Sequence, residues 1–241
     1  MTIAEQIAEI KINSGRLYEK GFSNGEAKGT YYGALAEYDR FWDAFQQNGS
    51  RTHYTYGFAG RGWTETNFIP KYKTIQPSAC TGMFFNNTIP DLVSHFEEHG
   101  ITLDFSKSTS VYDAFSSTST RRLPYLDISS AGSALTMFAY NSSLEEIAGL
   151  KCGVNNAFSS TFVGNSALVK VIFSGVINNN ISLSDSKNLS KESITSLINT
   201  LSASASGKSA TLSKTAKNNA FTDSEWNTLV GTKTNWTISL V

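Results

Sequence analysis

Four stretches of this chain carry the same short apolar strand signature at a nearly constant interval, and no other feature restricts the fold as strongly. They are Ile101-Thr-Leu-Asp-Phe-Ser106, Leu123-Pro-Tyr-Leu-Asp-Ile-Ser129, Leu144-Glu-Glu-Ile-Ala-Gly-Leu150 and Leu168-Val-Lys-Val-Ile-Phe-Ser174. Aligned on Leu103, Leu126, Ile147 and Val171, they follow one another at nearly even steps, the middle one slightly the shortest. A period of roughly 20–29 residues is that of leucine-rich repeats. An aromatic turn precedes each later unit, at Ala114-Phe115, Met137-Phe138 and Thr161-Phe162, and Met83-Phe84 opens a similar unit ahead of the first. A unit this short cannot bury its own apolar face, so neighbours must stack. The expected architecture is a β-rich α/β solenoid of short parallel strands. In it Phe and the first Leu of each unit fill the interior on the return side. Asn141 and Asn165 turn the chain and hydrogen-bond exposed backbone there.

Two copies align closely, Phe138-Ala-Tyr-Asn141-Ser-Ser-Leu144-Glu-Glu-Ile147 and Phe162-Val-Gly-Asn165-Ser-Ala-Leu168-Val-Lys-Val171. The Phe-x-x-Asn-x-x-Leu-x-x-Ile pattern resembles the BspA-like class of bacterial leucine-rich repeats over about residues 80–215. The chain departs from that class by Asn in place of Cys at 141 and 165, by the missing Pro after the strand, and by an insertion after Ser174. The flanks Glu37-Tyr-Asp-Arg-Phe-Trp-Asp-Ala-Phe45 and Trp226 to Leu240 are similar to leucine-rich-repeat proteins carried by phages and prophages of Gram-positive gut bacteria. The resemblance implies a repeat-stack fold. It also implies a binding role, as a phage-encoded accessory or tail-associated, virion-borne protein.

The ends divide the chain further. Ile3, Ile7, Ile10 and Leu17 follow coiled-coil spacing, so residues 1–22 are either an oligomer stem or an amphipathic helix docking on its own domain. Gly21, Gly25, Gly29 and Gly33 interrupt helical structure and close a segment 1–33. Residues 34–79 read as an aromatic helical and loop cap, with Leu35, Tyr38, Phe41, Trp42 and Phe45 on one helix face. Nearly half of the chain's aromatic residues lie between positions 16 and 72. Either they stack on sugar rings or they seal the open end of a core, and burial of large aromatic area favours the second. At the far end, Lys191 to Leu201 has an apolar stripe of Ile194, Leu197, Ile198 and Leu201. Ala210-Thr-Leu212 reads as a further strand, and the solenoid runs over 80–215. The cap over 216–241 has a capping box at Thr222 and Glu225, a short helix with Trp226, and a strand alternating Trp236, Ile238 and Leu240.

Charge excludes some classes of partner. The 20 basic and 20 acidic residues balance, whereas phosphate neutralisation needs clustered Lys and Arg. Ser, Thr and Asn make up nearly a third of the chain, a surface that is polar without being charged. No nucleic acid is expected as the main partner. Without a run of about 20 apolar residues, no membrane insertion is expected either. The start lacks a basic region followed by an apolar run, so synthesis in the bacterial cytoplasm without a signal peptide is expected.

Catalytic motifs are weak. His95-Phe-Glu-Glu98-His99 matches H-x-x-E-H letter for letter. A helix over 91–99 draws its buried face from Leu92, Val93 and Phe96, which leaves both histidines at the polar boundary, and no further carboxylate ligand stands out. Gly207-Lys-Ser209 lacks the earlier glycine of a phosphate loop, and a strand follows it. Cys80 and Cys152 read as buried small residues. No enzyme activity, cofactor or metal is expected. If the four anchors point inward, their neighbours point outward. The candidate binding face is then Thr102 and Asp104, Tyr125 and Asp127, Glu146 and Ala148, Lys170 and Ile172, acidic toward its N-terminal units. The expected function is non-catalytic recognition of a protein or a cell-surface glycan. The alternatives are assembly as a homo-oligomer through residues 1–22 and, least favoured, a zinc hydrolase at His95, Glu98 and His99.

Overall fold

The computed structural model of the chain describes residues 74–241 together with Phe58, Ala59, Gly60, Trp63, Glu65 and Phe68. The expected stem over 1–22, the glycine-punctuated link and the helix carrying Leu35 to Phe45 lie outside the described residues. Within them the fold is an α/β arrangement of three parallel sheets and four helices, with no closed barrel.

The first sheet pairs β1 (Thr74–Ile75) with β2 (Thr102–Leu103). The second carries β3 (Arg122–Asp127), β4 (Glu146–Cys152) and β5 (Lys170–Gly175) in sequence order. Its register sets Leu123 beside Ile147 and Val171, and Leu126 beside Leu150 and Phe173. Along the first row the units of this sheet are equal in length, a bulge between Ile147 and Leu150 takes up one extra residue of β4 beyond it, and the shorter step read between Leu126 and Ile147 is corrected. Each strand offers two apolar residues three or two apart, and the expected alignment matched the second of one strand to the first of the next. The third sheet holds β6 (Ile181–Leu183), β7 (Lys208–Leu212) and β8 (Trp236–Leu240). Ile181 stands beside Ala210, and Ala210 beside Ile238, at longer steps than in the second sheet. Among its strands β6 was unanticipated.

The return side of the units in the second sheet is built from turns. Ala134 accepts from the Met137 N–H, and Thr136 accepts from the Ala139 N–H. The next unit repeats this at Phe158 and Thr161, then Ser160 and Val163. Left-handed residues recur four apart to make these corners, at Asp113 and Ser117, Thr136 and Tyr140, and Ser160 and Gly164. Alternate N–H groups then bond to the next unit, as in Phe115 to Met137 (2.8 Å) and Phe138 to Thr161 (3.0 Å). The aromatic turns point inward as expected. Phe84, Phe115, Phe138 and Phe162 form a buried ladder with ring centroids 5.2, 6.1 and 5.4 Å apart. Phe58 and Phe68, both fully buried, continue it beyond Phe84 and pack edge-on against Trp63. These three of the clustered aromatics belong to the core; the others lie outside the described residues.

Asn141 and Asn165 are fully buried, which corrects their expected role toward exposed backbone. The Asn141 carboxamide accepts from the Thr118 N–H (2.6 Å) and donates to the Phe115 carbonyl (2.7 Å), and the Asn165 carboxamide accepts from the Asn141 N–H (3.2 Å). Each closes a turn whose polar groups water cannot reach.

Helices flank the second sheet on both sides. Helix α1 (Leu92–His99) precedes β3, capped by Asp91 and ended by left-handed Gly100. Helix α2 (Lys191–Thr200) lies against β5 where a further strand would fall. The Ser193 and Ser196 hydroxyls accept from the Val171 and Phe173 N–H groups, each at 3.0 Å. These serines sit on the polar side of the Ile194, Leu197 and Ile198 stripe, which is buried as expected. Helix α3 (Lys214–Ala220) was not anticipated and spans the expected boundary at 215. Helix α4 (Asp223–Gly231) opens with the expected capping box of Thr222 and Glu225.

Candidate functional site

The outward face of β3, β4 and β5 is where most of the expected binding residues meet. Tyr125, Asp127, Glu146, Ala148, Lys170 and Ile172 share that sheet. Thr102 and Asp104 do not: β2 ladders to β1 and not to β3, so Thr102 stands on a separate sheet and Asp104 just beyond the end of its strand.

The true register reorders the face. Arg122, Glu146 and Lys170 form one row. Arg122 pairs with Asp91 at 2.6 Å and Lys170 with Glu146 at 2.9 Å, so charge alternates from α1 across three strands. A second row sets Asp127 beside Lys151, paired at 2.9 Å. Lys151 and Arg122 were missed; the equal steps from Leu123 to Ile147 and on to Val171 were the signal for both. Opposite charges directly across a sheet stabilise it modestly and leave little net field outside.

The two expected acidic positions are also turn residues. The Asp127 carboxylate accepts from the Ser129 N–H (3.0 Å) and hydroxyl (2.6 Å), and the Asp104 carboxylate accepts from the Ser106 N–H (2.9 Å) and from Gln76. Partial burial pushes both carboxyls up. For Asp127 the bonds from Ser129 and Lys151, and for Asp104 those from Ser106 and Gln76, outweigh burial and hold both below the ordinary carboxylate range. The acidic character read from sequence is thus committed to folding the turns.

Between the charged rows lies an apolar strip. Strict alternation fails here, because Pro124 and Tyr125 both face away from the core while Leu123 and Leu126 face in. Tyr125 is 52% exposed, and its ring covers Gly149 on the neighbouring strand. A β-carbon at Gly149 would stand 2.7 Å from the Tyr125 ring, so glycine is required for the ring to lie there. Exposed Ala148 and half-buried Ile172 extend the strip toward β5.

The histidines do not form a centre with Glu98. Both are buried, 3% exposed each, and not at the polar boundary as expected. His95 Nε2 lies 2.6 Å from the Phe68 carbonyl, and the Phe68 ring stacks on its imidazole at 5.6 Å. Glu98 is exposed. Among the described residues no group of three or more His, Cys, Asp and Glu side chains could hold a metal ion. Cys80 and Cys152 are free and buried; burial pushes the Cys80 thiol up to about 12 and the Cys152 thiol up as well, so both stay protonated and unreactive.

An open depression of about 370 Å³ lies between α2 and α4, lined by Lys191, Thr195, Phe221 and Glu225 among others. Its charged groups are already engaged. Lys191 pairs with Glu225 at 2.7 Å and lies 5.1 Å over the Phe221 ring. The bond from Lys191, with those from Thr222, lowers the Glu225 carboxyl to about 2. This is a joint between helices. Among the described residues no helix is long and apolar enough to cross a membrane. No protein-family profile, no curated protein and no solved structure matches this chain.

Proposed function

We propose that the described part of the chain is a leucine-rich-repeat solenoid and that it serves as a non-catalytic recognition module for a protein or a cell-surface glycan. The reading supported by the flanking resemblance is a phage-encoded accessory or tail-associated protein of a Gram-positive host. The observation that carries the recognition role is the strip of Pro124, Tyr125, Ala148, Gly149 and Ile172. The charged groups of that face are held by their neighbours, whereas Tyr125 is half exposed on a rigid sheet. Large aromatic side chains presented this way supply contact area at small cost in conformational entropy. Paired charges above and below give the strip a polar rim without net charge, which suits a neutral partner.

The test is binding of the labelled full chain to panels of intact Gram-positive bacteria and their isolated cell walls, beside Tyr125→Ser and Ile172→Asp. Tyr125 is exposed and Ile172 half-buried on the outward face, so circular dichroism of each variant is compared with that of its parent. Saturable binding that falls roughly tenfold or more in both variants supports the module and its face. Binding that survives both places recognition elsewhere. No binding to any surface favours assembly through residues 1–22 instead.

A further inference from the structure

The size and setting of the strip around Tyr125 limit what can sit on it. It runs through Pro124, Tyr125, Ala148, Gly149 and Ile172 and is bounded by the Arg122–Glu146–Lys170 row on one side and the Asp127–Lys151 row on the other. That is a handful of residues, where a stable protein interface takes about 20–30 a side. The strip also lies on the face of the sheet, with β4 laddered to β3 on one side and to β5 on the other. At the β5 edge the N–H groups of Val171 and Phe173 are taken by serine hydroxyls of α2. A peptide strand laid on the strip therefore finds no backbone to pair with.

The flanking ion pairs are neutral as pairs but not used up as donors. Lys151 meets Asp127 at 2.9 Å and Lys170 meets Glu146 at 2.9 Å, and both lysine side chains stay exposed, at 44% and 43%. An ammonium carries more N–H donors than one carboxylate contact uses. Tyr125 stands beside Gly149, and Asp127 beside Lys151 two residues further on, so ring and ion pair lie about 7 Å apart along the sheet. A ligand matched to this arrangement is uncharged, offers a flat face of C–H groups to the negative face of an aromatic ring, and carries hydroxyls around its rim for the lysine donors. A pyranose sugar has all three properties. A polyanion gains little, because it meets lysines already neutralised by Asp127 and Glu146.

We infer that this strip is a sugar subsite: an uncharged pyranose ring of a surface glycan stacks on Tyr125, and its hydroxyls accept hydrogen bonds from Lys151. The inference rests on the recognition role proposed above and narrows its partner to a glycan. Gly149 is a positioning residue for the site. The Tyr125 ring rests against it, and a β-carbon there would stand 2.7 Å from the ring and turn it out of place. A ring already seated on the sheet loses little further freedom when a ligand covers it.

The test uses isolated Gram-positive cell walls before and after protease stripping, which removes surface proteins and leaves the wall glycans. The full chain is compared with Tyr125→Phe, Tyr125→Leu and Gly149→Ala, each checked by circular dichroism against its parent. The expected result is binding that persists on stripped walls and at high salt. Tyr125→Phe should bind like the parent, while Tyr125→Leu and Gly149→Ala should each lose about tenfold. Leucine keeps apolar area but has no aromatic face, so a Tyr125→Leu or Gly149→Ala chain that binds as well as its parent overturns the sugar subsite. Binding lost on stripping makes the partner a protein, and binding lost at high salt makes it a polyanion; either overturns the subsite and leaves the recognition role standing. No binding even before stripping, or binding that Tyr125→Ser leaves intact, overturns the subsite together with the face it rests on.

Discussion

The two three-stranded sheets are built from the same kind of parallel step but differ in what lies between strands. In β3–β5 the chain returns through paired turns, and the units are short and nearly equal. In β6–β8 it returns through helices, and each unit is longer. The extra length coincides with the change from turn to helix. Helix α2 marks the change: it lies against β5 as the first element of the new kind, while β6 opens the new sheet. Turns demand left-handed residues and buried carboxamides; helices demand caps and an apolar stripe. The first half should therefore fail through its corners and ladders, and the second through its caps.

The largest effect is expected from Phe138→Ala, which removes the middle of the aromatic ladder. Its ring lies between Phe115 and Phe162 and is fully buried, so a loss of about 3–5 kcal/mol is expected in denaturant unfolding. A glycine pair sharpens the comparison further. A β-carbon at Gly153 would lie 2.0 Å from the Ser129 carbonyl oxygen, a backbone atom that cannot move aside. Gly153→Ala should cost about 3 kcal/mol or more. Gly207, leading into β7, has a φ of 63° and open space around it. Gly207→Ala should cost only the left-handed strain of about 1 kcal/mol. Equal losses at the two glycines would contradict the contrast.

Asn141→Ala strands the Thr118 N–H and the Phe115 carbonyl in a dry interior, and a loss of about 1–3 kcal/mol is expected. Thermal denaturation of that variant should start in the turn side of the first half, seen as early exchange of the amides around Phe115.

Acid produces the smallest effect. Asp104 and Asp127 have carboxyl pKa values lowered in the folded state, so each contributes stability above its unfolded value of about 4, and that contribution fades as the pH falls through and below that value. The melting temperature should fall from about pH 5 downward. It should fall less steeply in Asp127→Asn, which keeps the turn acceptor but loses the charge facing Lys151. Equal slopes for Asp127→Asn and its parent would remove Asp127 from the account.

How much was legible follows the same division. The stripe of α2, the capping box at Thr222 and Glu225, and the alternation of Trp236, Ile238 and Leu240 were readable because each rests on local spacing. The inward Phe of each turn was readable from repetition. Register was not, because Leu123 and Leu126 are equally good anchors and only pairing distinguishes them. The strip around Tyr125 was half legible: the residue was named, but Gly149 beneath it depends on register. The burial of His95 rests on Phe68, far earlier in the chain, which no local pattern records. Helix α3 was missed since Lys214–Ala220 has almost no apolar content and is placed by its neighbours.

The central claim is that the fold seals the β5 edge with a helix, while no described residue ladders to the far side of β8. Residue-resolved hydrogen exchange of the dilute full chain tests it directly. The Val171 and Phe173 amides, bonded to Ser193 and Ser196, should exchange as slowly as those inside β4, while the amides on the far side of β8 exchange fast. Fast exchange at Val171 and Phe173 would contradict it.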